Sequence, residues 1–403
     1  MSKWINKDLP DLVFFQEGPG IRNTQYTDIG VKLLNVANLQ EGKLVLDNTG
    51  RYISKEEAYG RYKHFLVDEG DLIIGSSGIK VEYFEDKMGF ANKEHLPLCM
   101  NTSTIRFKTL DDKKLDIRFF MYFLKSILFK KQIAKLITGS AQLNFGPSHL
   151  KKIKVTVTEI EIQKKIVNVL DKTQSLIDKR NQQLEDLDKL IKSIFYQMFG
   201  DPISNTKGWK KENAEKHIDI ISGYAFKSEQ YSDNEDDIKI CGGLIIYNDY
   251  IDWSKAIRWN RNNVDNLEKY FLKENDIVLA LDRPWISDGL KIAVIKKEDL
   301  PALLIQRTAC LRSIDIDQCF LYQHLQDRSF NLHCNVTETT VPHISTKDIT
   351  TYPLIIPPME LQREFADIVK QVENQKATIK HSLSELKQNF NSLMQRAFKG
   401  ELY

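Results

Sequence analysis

The chain has 403 residues, room for two or three domains, with 42% hydrophobic and 28% charged residues, a balance that excludes a disordered chain. Lys+Arg 57 against Asp+Glu 55 leaves a formal charge of +2, which excludes a generically basic nucleic-acid binder; any DNA contact must come from local patches or from partners. The five cysteines (Cys99, Cys241, Cys310, Cys319 and Cys334) lack C-x-x-C spacing, as in a reduced protein, and Cys319, His324, His333 and Cys334 match no usual zinc pattern. The opening MSKWINKDLPDLVFFQEG holds no apolar signal region, and no apolar run is long enough to span a bilayer. A cytoplasmic protein without a membrane span is expected.

Residues 1–157 read as a first mostly-β domain. DLIIG (from Asp71), NTSTIRFKTL (from Asn101) and IKVTV (from Ile153) predict short strands, and the stretch from Leu115 to Ile137 predicts one helix. Its polar loops offer DNA-reading side chains. Arg22, Asn23, Gln25 and Tyr26 lie in GPGIRNTQYTDIG; Arg suits guanine, and Asn or Gln suits adenine, in the major groove. Ser76, Ser77 and Lys80 lie on the glycine-rich GSSGIK, suited to phosphates, and Ser140, Gln142 and Asn144 follow a basic helix end.

Residues 158–200 predict a long helix. Leu170, Ile177, Leu184, Ile191 and Met198 recur every seven residues, with Thr173, Arg180, Leu187 and Ile194 three further on, an a/d seam. Residues 201–356 predict a second mostly-β domain, with DIVLA, RTACLRSIDI and YPLIIP as strands and QCFLYQHLQDRSFNLHC as its helix. Its candidate DNA contacts are Tyr224, Lys227 and Tyr231, then Arg258 and Arg261, then Arg283, Trp285 and Lys291. Residues 357–403 predict a second long helix after Pro357 and Pro358, with a seam of Val369, Val372, Ile379, Leu383, Leu386 and Phe390 and a polar defect at Lys376.

The second half repeats the first. Gln163 aligns with Gln362 at a shift of 199; Trp4 aligns with Trp209, and EGDLIIGSSG with ENDIVLALDR, at a shift of 205, as does LLNVANL with IKICGGL. A single apolar seam needs a partner helix. Antiparallel pairing within the chain satisfies both seams, with homodimerisation as the alternative. The expected fold is α+β: two mostly-β recognition domains separated by two long antiparallel coiled-coil helices, with an internal pseudo-two-fold repeat. No phosphate loop, dinucleotide fingerprint, H-E-x-x-H, nucleophile elbow or amino-methyltransferase tetrapeptide occurs, so no catalytic or metal-binding residue is assigned. Each polar loop taken alone is more often a solvated turn than a binding site.

Thr138–Asp201 and Ile344–Phe365, with EGDLIIGSSG and ENDIVLALDRP, resemble the specificity subunits of type I restriction-modification systems over nearly the whole chain. The resemblance implies a non-catalytic subunit whose two domains each read half of a bipartite double-stranded DNA target. It implies a helix pair that sets the unread spacer and docks two methyltransferase subunits, with a restriction and translocation subunit joining them. S-adenosylmethionine, ATP and Mg would all be bound by those partners and none by this chain. A modification-only system is the nearest alternative; a self-standing DNA methyltransferase or nuclease, and a scaffold that does not bind DNA, are others.

Overall fold

The computed structural model describes residues 4–80, 83–137, 143–287, 289–334 and 342–403. Contacts divide the chain into two units, Met1–Asn181 with His381–Tyr403, and Gln182–Lys380. The long helices, Ile160–Phe199 and Met359–Phe398, have 40 residues each, about 60 Å at ~1.5 Å per residue. Each unit therefore holds the beginning of one helix and the end of the other, so the two pack antiparallel within one chain.

In the first unit, an antiparallel sheet runs in the order Val13–Glu17, Thr104–Thr109, Leu72–Gly75, Met88–Phe90. A smaller sheet orders Leu98–Met100, Val31–Leu34 and Tyr52–Ile53, its first pair parallel. Ile5–Asp8 pairs with Lys154–Val157 and closes the domain on itself. Leu72, Ile73 and Ile74 are all buried, which explains why this strand reads as a continuous apolar run and not an alternating one.

The second unit repeats the plan. Ile218–Ser222, Thr308–Ser313, Ile277–Ala280 and Ile292–Val294 form its antiparallel sheet. The smaller sheet orders Tyr231–Ser232, Arg258–Trp259, Ile238–Cys241 and Ala302–Leu304, and Lys210–Asn213 pairs with Pro353–Ile356. The repeat extends to ion pairs on a buried aspartate. Arg106 faces Asp71 at 3.4 Å, and Arg312 faces Asp276 at 2.7 Å. It extends to backbone contacts too: a Cβ on Gly18 would lie 2.0 Å from the Asn101 carbonyl oxygen, and one on Gly223 would lie 1.9 Å from that of Ile305. Only glycine fits either place.

Two sequence expectations need correction. The shift of 205 holds where Leu72 matches Ile277, but pairing of Leu34 with Met100 and of Cys241 with Leu304 makes it 207 for the strand Val31–Leu34 and 204 for its partner Leu98–Met100. A two-residue slip preserves the in-out alternation of a strand, so pattern alone does not reveal it. The helix expected over Leu115–Ile137 is two, Ile117–Lys125 and Ile127–Leu136, because the Ser126 hydroxyl caps the second by accepting from Phe129 N. Asp327 likewise divides Gln318–Leu325 from Arg328–His333, accepting from Ser329 N.

Each domain is fastened to the helix that follows it by a glutamine. Gln163 Oε1 accepts from Asp116 N at 3.0 Å while its Nε2 donates to Lys114 O and Thr158 O. Gln362 Oε1 accepts from Asp317 N at 2.8 Å and its Nε2 donates to Pro357 O. Asp116 and Asp317 are the N-caps of equivalent helices, so the latch ties a domain helix to the first turns of a long one. Both glutamines are buried. Gln163→Ala strands three backbone groups and is expected to cost about 2 kcal/mol, read as a lowered urea midpoint; Gln163→Glu, which keeps the acceptor and loses both donors, should not restore it.

Aromatic rings complete the attachment. In the first unit Phe119 and Phe123 meet Phe398, and Tyr122 meets Phe390. In the second, Phe195 and Phe199 pack on Phe320 and Phe365. The seam side chains Leu170, Ile177, Ile191, Val372, Leu383 and Phe390 are buried, and Leu184, Leu187, Val369, Ile379 and Leu386 are half-buried. The polar defect at Lys376 is also buried, at 3% exposure. Its ammonium meets Asp188 of the other helix at 2.7 Å, Glu373 at 2.7 Å and Asp249 at 3.4 Å.

Candidate nucleic-acid interface

The first unit's candidate side chains divide by direction. Arg22 and Asn23 stand exposed on a one-turn helix, Asn23–Gln25. Gln25 turns inward: its Nε2 donates to Tyr62 Oη at 3.0 Å and Glu57 Oε1 at 3.2 Å. Tyr26 is half-buried and accepts from Asn101 Nδ2 at 3.2 Å. These two build the loop that presents the other two. Asn101 is the buried hub, also accepting from Ile21 N, and a lone Asn at the end of a strand gives no sequence signal of that role.

The glycine-rich turn and the segment around Asn144, far apart in sequence, come together. Ser77–Ile79 pairs with Leu143–Asn144, and Asn144 Oδ1 accepts from both Ser77 Oγ and Gly78 N. Lys80 is exposed beside them, whereas Ser76 is buried with no partner for its hydroxyl among the described residues. Ser140 and Gln142 lie outside the described residues.

In the second unit, Tyr224 is 39% exposed and meets Phe226 edge-on and Tyr270 at a tilt, with Lys227 exposed nearby in sequence and Tyr231 half-buried against the same cluster. Arg258 donates to Asp237 O, and Arg261 to Asp236 O, so an acidic turn orients both guanidiniums. Trp259 is core. Arg283 is exposed in left-handed backbone at φ 45°, and Trp285, in a two-stranded ribbon with Leu290, packs half-buried against the domain core. Lys291 is buried, and burial, then the neighbouring Arg283 charge, push its ammonium pKa below the ordinary lysine value while Asp282 opposes.

The structure also assembles a group that the sequence reading missed. Asp282 accepts from Arg307 at 2.6 Å and meets His343 Nδ1 at 2.7 Å. His343 arrives from 61 residues away, so no local pattern announces it. Leu244, at 89% exposure, is a second omission; an apolar tip of this kind suits a thymine methyl. Among the described residues no group of three His, Cys, Asp or Glu could hold a metal ion, and no helix is long and apolar enough to cross a membrane.

A duplicated sheet domain, latched twice to an antiparallel helix pair and varying mainly in its loops, is the build of a specificity subunit. The profile of the type I restriction modification DNA specificity domain matches residues 1–187 and 207–388. The MjaVIII specificity subunit of a type I restriction enzyme of Methanocaldococcus jannaschii is 27% identical over 336 residues, covering 77% of this chain and 74% of that one. The type I restriction-modification S subunit from M. genitalium has a similar fold, with a TM-score of 0.52 at 17% identity over 98% of this chain and 96% of that one. A structure from work on complex assembly and conformational transition of the type I system gives a TM-score of 0.56 at 14% identity, covering 99% of this chain and 98% of that one. The chain belongs to the type I restriction-modification DNA specificity family.

Proposed function

We propose that this chain is the non-catalytic, sequence-reading subunit of a type I restriction-modification complex, each domain reading one half of a bipartite duplex target. The observation that carries this reading is divergence on a repeated frame. Sheets, latches and ion pairs recur between the halves, while Arg258 stands where the first unit has Tyr52 and Arg283 where it has Gly78. Two different readers on one frame suit an asymmetric target. The helix pair sets the unread spacer and offers a docking face to each of two methyltransferase subunits. Those subunits bring S-adenosylmethionine and methylate adenine N6 in each half after extruding the base. A restriction and translocation subunit brings ATP and Mg. This chain binds none of these cofactors itself, and the assembly works in the cytoplasm.

Exchange of residues 5–157 for the matching domain of a relative with another target tests this directly. A long-read map of N6-methyladenine should show one half of the methylated motif replaced and the other half, with the spacer, retained. A motif changed in both halves, or in neither, refutes separate reading.

A further inference from the structure

The two domains carry a lysine at one equivalent place, and the two side chains end differently. Lys87 and Lys291 each precede a strand, Met88–Phe90 and Ile292–Val294, whose first residues face Ile74 and Leu279. Lys87 Nζ donates to the Leu39 carbonyl oxygen at 2.7 Å. The counterpart of Leu39 is Ile246, since Leu39 pairs with Leu44 as Ile246 pairs with Ile251. Lys291 makes no such bond. The residue is 8% exposed, its Nζ has no hydrogen bond to a described residue, and the ammonium tip keeps contact with solvent.

The space it faces is unusual in a second respect. A Cβ on Gly243 would stand 3.9 Å from Lys291 Nζ. The turn at Gly242–Leu244 is closed by Ile245 N donating to Gly242 O, and the amides of Gly243 and Leu244 have no backbone partner among the described residues. The first unit has Asn35 and Val36 in place of Gly242 and Gly243. Among the described residues the carboxylate that acts on Lys291 is that of Asp282, already engaged by Arg307 and His343, and Arg283 adds further positive charge. The Lys291 ammonium and the two amides are thus donors without a partner among the described residues, at a place solvent still reaches.

We propose that Lys291 and the Gly242–Gly243 turn form a seat for one phosphate group, filled by a phosphodiester of the duplex that the second unit reads, with no equivalent in the first unit. The proposal rests on the DNA-reading function above. A phosphate offers acceptors only, which matches the donors left over, and two side-chain-free residues let a backbone oxygen approach. The two half-sites are therefore held unequally: one lysine is used to fold its domain, its twin to grip DNA.

The test uses the chain assembled with its methyltransferase subunits and a random-sequence duplex, with affinity measured against salt. Lys291→Met should make the slope of log K against log salt shallower by about 0.9, the value of one phosphate contact, and weaken binding about tenfold at low salt without changing the methylated motif. Lys291→Arg should keep the slope, Gly243→Asp should lower affinity further than Lys291→Met, and Lys87→Met should leave the slope unchanged. An unaltered slope in Lys291→Met overturns the proposal. So does a changed base preference in one half-site, which would make Lys291 a base reader. Thermal stabilisation by millimolar inorganic phosphate, lost in Lys291→Met while the DNA slope stays constant, would assign the seat to a free anion and overturn the DNA source. Absence of salt-dependent DNA binding in the unaltered complex would refute the DNA-reading function itself.

Discussion

Four residues inserted into both long helices, between Asn181 and Gln182 and between Lys380 and His381, should lengthen the unread stretch of the target and leave each half-site as it was. Those points are where the two units divide, so neither latch nor aromatic attachment is touched. Four residues add a little more than one turn, about 6 Å, and keep the apolar rows nearly in phase. At about 3.4 Å per base pair, the expected change is one or two base pairs. The readout is the methylated motif by long-read sequencing. A single-helix insertion is the control: it mismatches the seams and should abolish methylation. If the double insertion yields the original spacer, the helix pair does not set it.

The second large effect concerns acid. His324 is fully buried between Phe195, Phe320 and Tyr352. Its Nε2 accepts from Ile355 N at 3.3 Å, which places the ring proton on Nδ1, 2.9 Å from Tyr352 Oη. The neutral ring is thus the bonded form. Burial pushes its pKa from 6.5 down to about 4, against the opposing charge of Asp327. Because the unfolded chain takes up the proton first, stability is complete above about pH 6.5 and is lost as pH falls towards about 4. The loss approaches about 3 kcal/mol. Urea unfolding at pH 7 and pH 4.5 should show it in the native chain, and His324→Gln should flatten the dependence while lowering stability at pH 7. Equal pH dependence in both proteins would remove His324 as the cause.

Much of this architecture is legible in the sequence because it is periodic. The seams from Leu170 to Ile191 and from Val369 to Phe390 declare themselves by sevens, and Gln163 and Gln362 stand at matching points of their helices. What escapes is what depends on a single side chain or a distant partner. Ser126 and Asp327 each break an apolar run that otherwise reads as one helix, since a capping side chain outweighs continuity of pattern. Gln25 has the chemistry of an adenine reader, yet Glu57 and Tyr62, 32 and 37 residues away, hold it inward. The separate fates of Lys87 and Lys291 are invisible until strand register identifies the two as equivalents.

The buried ammonium of Lys376 bears on how the two rods find their axial alignment. An apolar heptad seam is nearly indifferent to a slip of seven residues, because every row meets a similar row. Such a slip would bring Lys376 against Asn181 or Phe195 in place of Asp188, leaving Glu373 of its own helix to pair with the buried cation and no carboxylate across the seam. Loss of the cross-helix partner of a buried ammonium disfavours both slipped registers. One charged residue in an otherwise apolar stripe thereby makes a continuous track into a stepped one with a single stop.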